Sequence, residues 1–350
     1  MQRIPSLDGL RAISITLVLL SHWVSWSRIS LQLIESYGKL GVHVFFVLSG
    51  YLITNLLLRE HACTSTVSLR DFYVRRAFRI FPAALAFLAV VIALFWPQMR
   101  WYHVAAALLY VANMDGSRPW IFGHLWSLSI EEQFYLLWPV AVKKWYRYKT
   151  AILLGVFLGA PVFRAALYAF KAQNGFLHGS LPVHADQLAV GCLLAILAPR
   201  LPKISGYLAL AMLFAVIVIP GFPASSSART LFMLFVLRPL LHVSLAGCVL
   251  HVMQVPYRAL NWAPVAWLGK ISYSVYLWQE LFLPDSALHL GYAGLPATLA
   301  CACLSYYLVE QPLLRLREMR ARQAPPTNQV PGQLLAGEYR TQELLICEKL

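Results

Sequence analysis

The stretch SLDGLRAISITLVLLSHW, residues 6–23, sets three ionisable side chains into an otherwise apolar run: Asp8, Arg11 and His22. On a helix Asp8 and Arg11 lie three apart, share a face and can pair. His22 follows Arg11 by eleven residues, close to three turns, so it faces roughly the same side about 16 Å further along the axis. One helix would then hold a permanent cation at one end and, deep in a bilayer, a side chain that titrates near neutrality. The plainer reading of His22 is a histidine at the outer end of a membrane helix, bonded to its neighbours.

Four other groups break the apolar pattern. In DFYVRRAFRIFP, residues 71–82, Arg76 and Arg79 are spaced to point the same way, just before an expected helix with Pro82 in its first turn. Guanidinium groups grip phosphate bidentately, but arginines also simply mark the cytoplasmic end of a span. HLWSLSIEEQFYLLWP, residues 124–139, carries adjacent carboxylates, Glu131 and Glu132, about two turns into an aromatic-rich helix. Inside a membrane they need partners or a polar cavity. GKLGVHVFFVLSGYLIT, residues 38–54, reads as close helix packing through Gly38, Gly41, Ser49 and Gly50, with His43 at an interface. In VHADQLAVG, residues 183–191, His184 and Asp186 read as a helix cap; no third ligand is apparent, so no metal is predicted.

These groups are conspicuous because the chain around them is so apolar. Of 350 residues 59% are hydrophobic and 13% charged, with a mean hydropathy of +0.61. A soluble domain is nearer ~45–50% apolar and ~25% charged. The net charge of +14 sits in short clusters between apolar runs, at residues 70–79, 143–149, 200–203 and 315–322. That is the positive-inside pattern of a membrane protein and not a solvated nucleic-acid surface. Runs near 10–26, 40–58, 80–96, 125–142, 151–170, 183–198, 206–219, 231–253, 267–282 and 295–309 read as spans. The fold expected is all-α: a polytopic bundle of about ten transmembrane helices. The apolar stretch 104–112 is too short to span, and keeping residues 143–149 cytoplasmic makes it a re-entrant or interfacial segment. Both termini are then cytoplasmic. Residues 1–317 form the membrane domain, and residues 318–350, rich in proline and polar groups, a disordered tail.

Taken in order, the groups resemble the acyltransferase-3 family of membrane-bound O-acyltransferases. The resemblance rests on LDGLRA with a histidine one helix later, FFVLSGYLIT, FYVRRAFRIFP, LWSLSIEEQFYLLWP, LGKISYSVYLWQ at 268–279 and SYYLVEQP at 305–312, and it covers about residues 3–317. It implies transfer of an acyl group, often acetyl, from acyl-CoA to a hydroxyl of a carbohydrate or small-molecule natural product. The implied sites are Arg11 with His22, Arg76 with Arg79, and Glu131. Arg76 and Arg79, with Arg11, would hold the CoA donor. His22 would act as general base on the acceptor hydroxyl, and Glu131 or Asp8 would orient the imidazole or balance its charge. Two positions depart from the family pattern: His184 stands where arginine is frequent, and Gln279 where histidine is. Some members continue into a hydrolase-like domain, whereas this sequence resembles a stand-alone form in a cytoplasmic (inner) membrane. A membrane transporter or flippase for a glycan would also bury Arg, His and Glu in a bundle, but without an acyl donor.

Overall fold

The computed structural model describes residues 5–26, 32–171, 177, 179–218, 226–282, 288 and 290–323, and among these every regular element is helical. Helices α1 (Pro5–Trp26), α2 (Gln32–Thr64) and α3 (Leu69–Phe95) come first. Short α4 (Trp101–Leu108) and a 3-10 turn at Trp120–Phe122 lead to α5 (Leu125–Lys144). Helices α6 (Lys149–Ala169), α7 (Leu181–Leu197) and α8 (Gly206–Val218) follow. Next, α9 (Ser226–Phe232) runs through a π-helical stretch, Met233–Leu237, into α10 (Arg238–Gln254). The last elements are α11 (Ala263–Phe282), α12 (Gly294–Leu304), a second π-helical stretch, Ser305–Glu310, and α13 (Gln311–Gln323). In hydrocarbon the backbone must bond to itself, and runs of Leu, Ile, Val and Ala do so as helices at no side-chain cost.

The bundle is that of a helical membrane protein, but the expected ten spans are not supported. Among the described residues five helices are long and apolar enough to cross: Gly38–Thr64, Leu69–Gln98, Tyr146–Ala169, Leu181–Arg200 and Ala228–Gln254. The other expected spans are helices that miss on composition or length. Helix α5 contains Glu131, Glu132, Lys143 and Lys144, while α8 has 13 residues and α12 has 11. The stretch expected to be too short to span is α4, whose 8 residues reach about 12 Å.

One helix boundary also differs from expectation. The arginines of residues 71–82 do not precede a helix; they ride on it. The hydroxyl of Ser68 accepts from Asp71 N and starts α3 early, which leaves Pro82 inside the helix. Helix α13 continues to Gln323, past the expected domain end at 317, while residues 324–350 of the expected tail lie outside the described residues.

Helix α2 is the hub, packed against both α1 and α7, while α1 also lies along α11 and α6 along α7. Small residues allow this. A Cβ on Gly50 would overlap the carbonyl of Leu188, and one on Gly191 would overlap that of Val47, so α2 and α7 touch backbone to backbone. Gly41 meets Ser14 of α1 in the same way, which supports the packing reading of these glycines.

Candidate active site

Because α1 is one uninterrupted helix, the offset of Arg11 from His22 is preserved as a length of bundle. Arg11 sits 3.6 Å from the Asp8 carboxylate and within electrostatic reach of Arg76, Arg79 and Tyr135. On α3 the arginines divide by helix face. Arg75 turns away and binds Glu60 at 2.9 Å, and the same carboxylate caps the chain at Ser68 N, 2.6 Å away. Arg76 lies over the ring of Tyr135, 4.0 Å from its centroid. Arg79, three residues on, joins Arg76, Asp8 and Glu310.

Three guanidinium groups so close would repel one another unless carboxylates stood among them. Those carboxylates come from three other directions. Glu131 of α5 interacts with Arg76, Arg11, Ser49 and Tyr135, and Glu132 with Arg76. Ser49 of α2 and Tyr135 share a short hydrogen bond that ties α2 to α5. Glu310 ends the second π-helical stretch and accepts a short hydrogen bond from Ser274 of α11. Burial is graded across the cluster: Asp8 and Glu310 are buried, Arg11, Arg76 and Glu131 half-buried, and Arg79 exposed. Carboxylates thus stand among the arginines, and of the three Arg79 is the exposed one. Guanidinium donors of this kind suit phosphate.

His22 occupies the far end of α1. Its ring meets Trp120 edge-on, with centroids 6.1 Å apart. Trp120 belongs to the 3-10 turn before α5, and a second polar pair fixes that turn. His124 Nδ1 lies 3.0 Å from a Glu280 carboxylate oxygen, both side chains almost wholly buried. Gly123 is pressed against Glu280, where a Cβ would stand 2.9 Å from its Oε2. The Tyr276 hydroxyl adds a bond to the His124 carbonyl at 3.2 Å.

Of the six residues expected from sequence, Asp8, Arg11, Arg76, Arg79 and Glu131 thus converge, with His22 at the opposite end of the same helix. Glu131 and Asp8 lie among the guanidinium groups, so their geometry suits charge balance there. Sequence reasoning missed Tyr135, Ser49, Ser274 and Glu310. Glu310 carried a usable signal, a lone acid in an apolar run, and π-helical turns recur at functional sites. Elsewhere Asp186 does not cap a helix end. It is buried against Arg164 of α6 at 2.7 Å and His242 of α10 at 3.3 Å. His184 lies against Trp126, their ring centroids 5.1 Å apart. Gln279 is fully buried in α11. Among the described residues no group of His, Cys, Asp or Glu has the geometry to hold a metal ion.

No solved structure matches the chain. The chain is 30% identical to YrhL of Bacillus subtilis, provisionally named a peptidoglycan O-acetyltransferase, over 89% of its own length and 55% of that protein's. It is 29% identical to the peptidoglycan O-acetyltransferase OatA of Listeria monocytogenes, over 89% and 56% of the two chains. It thus spans just over half the length of these curated relatives. An acyltransferase-domain profile matches residues 4–309, nearly the whole bundle. By that match the chain belongs to the acyltransferase-3 family.

Proposed function

We propose that this enzyme moves an acyl group, acetyl in the simplest case, from acyl-CoA to a hydroxyl of a carbohydrate acceptor. The observation that carries the reading is the division along α1: a partly exposed arginine cluster at Arg11, Arg76 and Arg79 toward one end, and an imidazole about 16 Å away at His22. Coenzyme A has the same division, with phosphates at one end and a reactive thioester at the other, joined by a thin arm. The names of the relatives favour a glycan acceptor of the peptidoglycan type.

The chemistry balances on these residues. Neutral His22 takes the proton of the acceptor hydroxyl as its oxygen attacks the thioester carbonyl. The tetrahedral adduct collapses, the C–S bond breaks, and the thiolate of CoA recovers the proton from the imidazolium. The products are an O-acyl ester and free CoA, and Asp8 and Glu131 balance the arginine charge throughout. In the Ala variant of His22, transfer should fall ~10²–10⁴-fold, with no recovery in His22→Gln, because an amide cannot accept the proton. CoA affinity should persist. Near-normal turnover in His22→Ala would remove the base from this scheme.

The donor is cytoplasmic, so the arginine end is assigned to the cytoplasmic side of the inner membrane. Both termini then face the cytoplasm, and residues 1–317 make up the catalytic domain. Reporter fusions at Lys149 and Arg322 should both read as cytoplasmic. An external signal at Lys149 would invert α5 and separate Glu131 from the donor side.

A further inference from the structure

A second polar group lies where α2, α6, α7 and α10 meet, and the reaction above does not use it. At its centre is Asp186, fully buried. Arg164 holds both its oxygens, Nη2 to Oδ2 at 2.7 Å and Nη1 to Oδ1 at 3.2 Å, and Nη1 also donates to the Val183 carbonyl at 2.7 Å. His242, also fully buried, presents Nδ1 to Oδ2 at 3.3 Å. Its ring stands 5.3 Å from that of His43, centroid to centroid. His184 and the exposed Arg238 complete the charged surroundings of His43.

The triad of Arg164, Asp186 and His242 would make sense as a structural brace. It does not explain the nitrogens left over. His242 Nδ1, though 3.3 Å from Asp186 Oδ2, makes no well-aligned hydrogen bond, and Nε2 has no hydrogen-bond partner among the described residues. His43 Nδ1 has none either. Buried polar atoms without partners carry a standing cost, and membrane proteins retain them where a ligand completes the bonding.

The groups present select the ligand's chemistry. Asp186 disfavours an anion, and Arg164 with Arg238 disfavours a cation. Imidazole nitrogens offer both donors and acceptors, which matches hydroxyl groups. Trp126, beside His184, adds a flat apolar wall of the kind that receives the C–H face of a sugar ring. Trp126 follows Trp120, the neighbour of His22, by six residues of 3-10 and α-helical chain, roughly 9–12 Å. An oligosaccharide can bridge that interval.

We propose that His43, His184 and His242, braced by Asp186 and Arg164, form a subsite for a neutral polyhydroxylated ligand, namely the acceptor sugar ring adjacent to the one that is acylated. The proposal rests on the acyltransferase reading, yet sugar binding can be measured without a donor. The probe is the repeating disaccharide of peptidoglycan, titrated calorimetrically into the purified full-length protein, with acetyl-CoA titrated separately. His242→Asn keeps an N–H for Asp186 and loses Nε2. His43→Phe keeps a ring and leaves the triad intact, so it serves should His242→Asn fail to fold. Each variant should weaken disaccharide binding tenfold or more while acetyl-CoA affinity stays within twofold. Unchanged disaccharide affinity, an equal loss for both ligands, or a wild-type protein that does not bind the disaccharide would overturn the subsite. A wild-type protein that binds the disaccharide but neither binds nor consumes acetyl-CoA would instead sink the acyltransfer scheme and leave the subsite standing.

Discussion

The two arginine-containing clusters are built on opposite plans. Around Arg11, Arg76 and Arg79 acids and cations are interleaved at graded depth, with Arg79 exposed and the Arg11 side chain 24% accessible. Around Arg164 the cation is enclosed, at 4% side-chain exposure, and its partner Asp186 at 0%. A guanidinium that keeps free donors at an opening can change partners and take up phosphate. One whose Nη groups are committed to a buried carboxylate and a carbonyl cannot, and it serves instead to hold the bundle and orient its neighbours. The same residue type thus binds in one place and braces in the other, and the difference lies in how far the cation is enclosed.

If that contrast is right, the largest loss of stability follows from Asp186→Ala. It strands the Arg164 guanidinium in a low-dielectric interior, and breaking a buried pair this way costs about 3–5 kcal/mol. Thermal unfolding in detergent should show a marked loss of the folded form. An unchanged melting temperature would show that the triad is not a brace.

A smaller free-energy effect, of a different kind, is expected at the open cluster. Replacing Arg76 or Arg79 singly by alanine should leave folding nearly intact and weaken acetyl-CoA binding about tenfold to a hundredfold, since one charge-assisted hydrogen bond contributes about 1.5–3 kcal/mol. Lysine at either position should restore only part, for want of the planar fork. Arg75 sharpens the comparison with the smallest effect. It is one residue from Arg76 but committed to Glu60, so Arg75→Ala should change CoA affinity less than twofold. An equal loss in Arg75→Ala would mean that the whole basic segment acts as a diffuse charge.

Much of the site was legible because its spacing is local. Asp8, Arg11 and His22 share one helix, and Arg76 and Arg79 lie three apart on another, so helical periodicity alone groups each set. The span count was less legible. Hydropathy finds apolar runs but does not say which are long enough to cross. Helix α12 is apolar yet only 11 residues long before the backbone turns π-helical, and α5 spends part of its surface on Glu131, Glu132 and two lysines.

From the sequence alone come the helical membrane class, the family, the pairing of cations with an imidazole along α1, and small residues that let helices touch. Each follows from composition or from periodicity within one element. Only the tertiary structure decided which partners meet: Glu131 with Arg76 and Arg11, Glu310 with Arg79, Glu280 with His124, and Asp186 with Arg164 and His242. Those partners lie tens to hundreds of residues apart. The packing of separate helices brings them together, and no period in the chain encodes it.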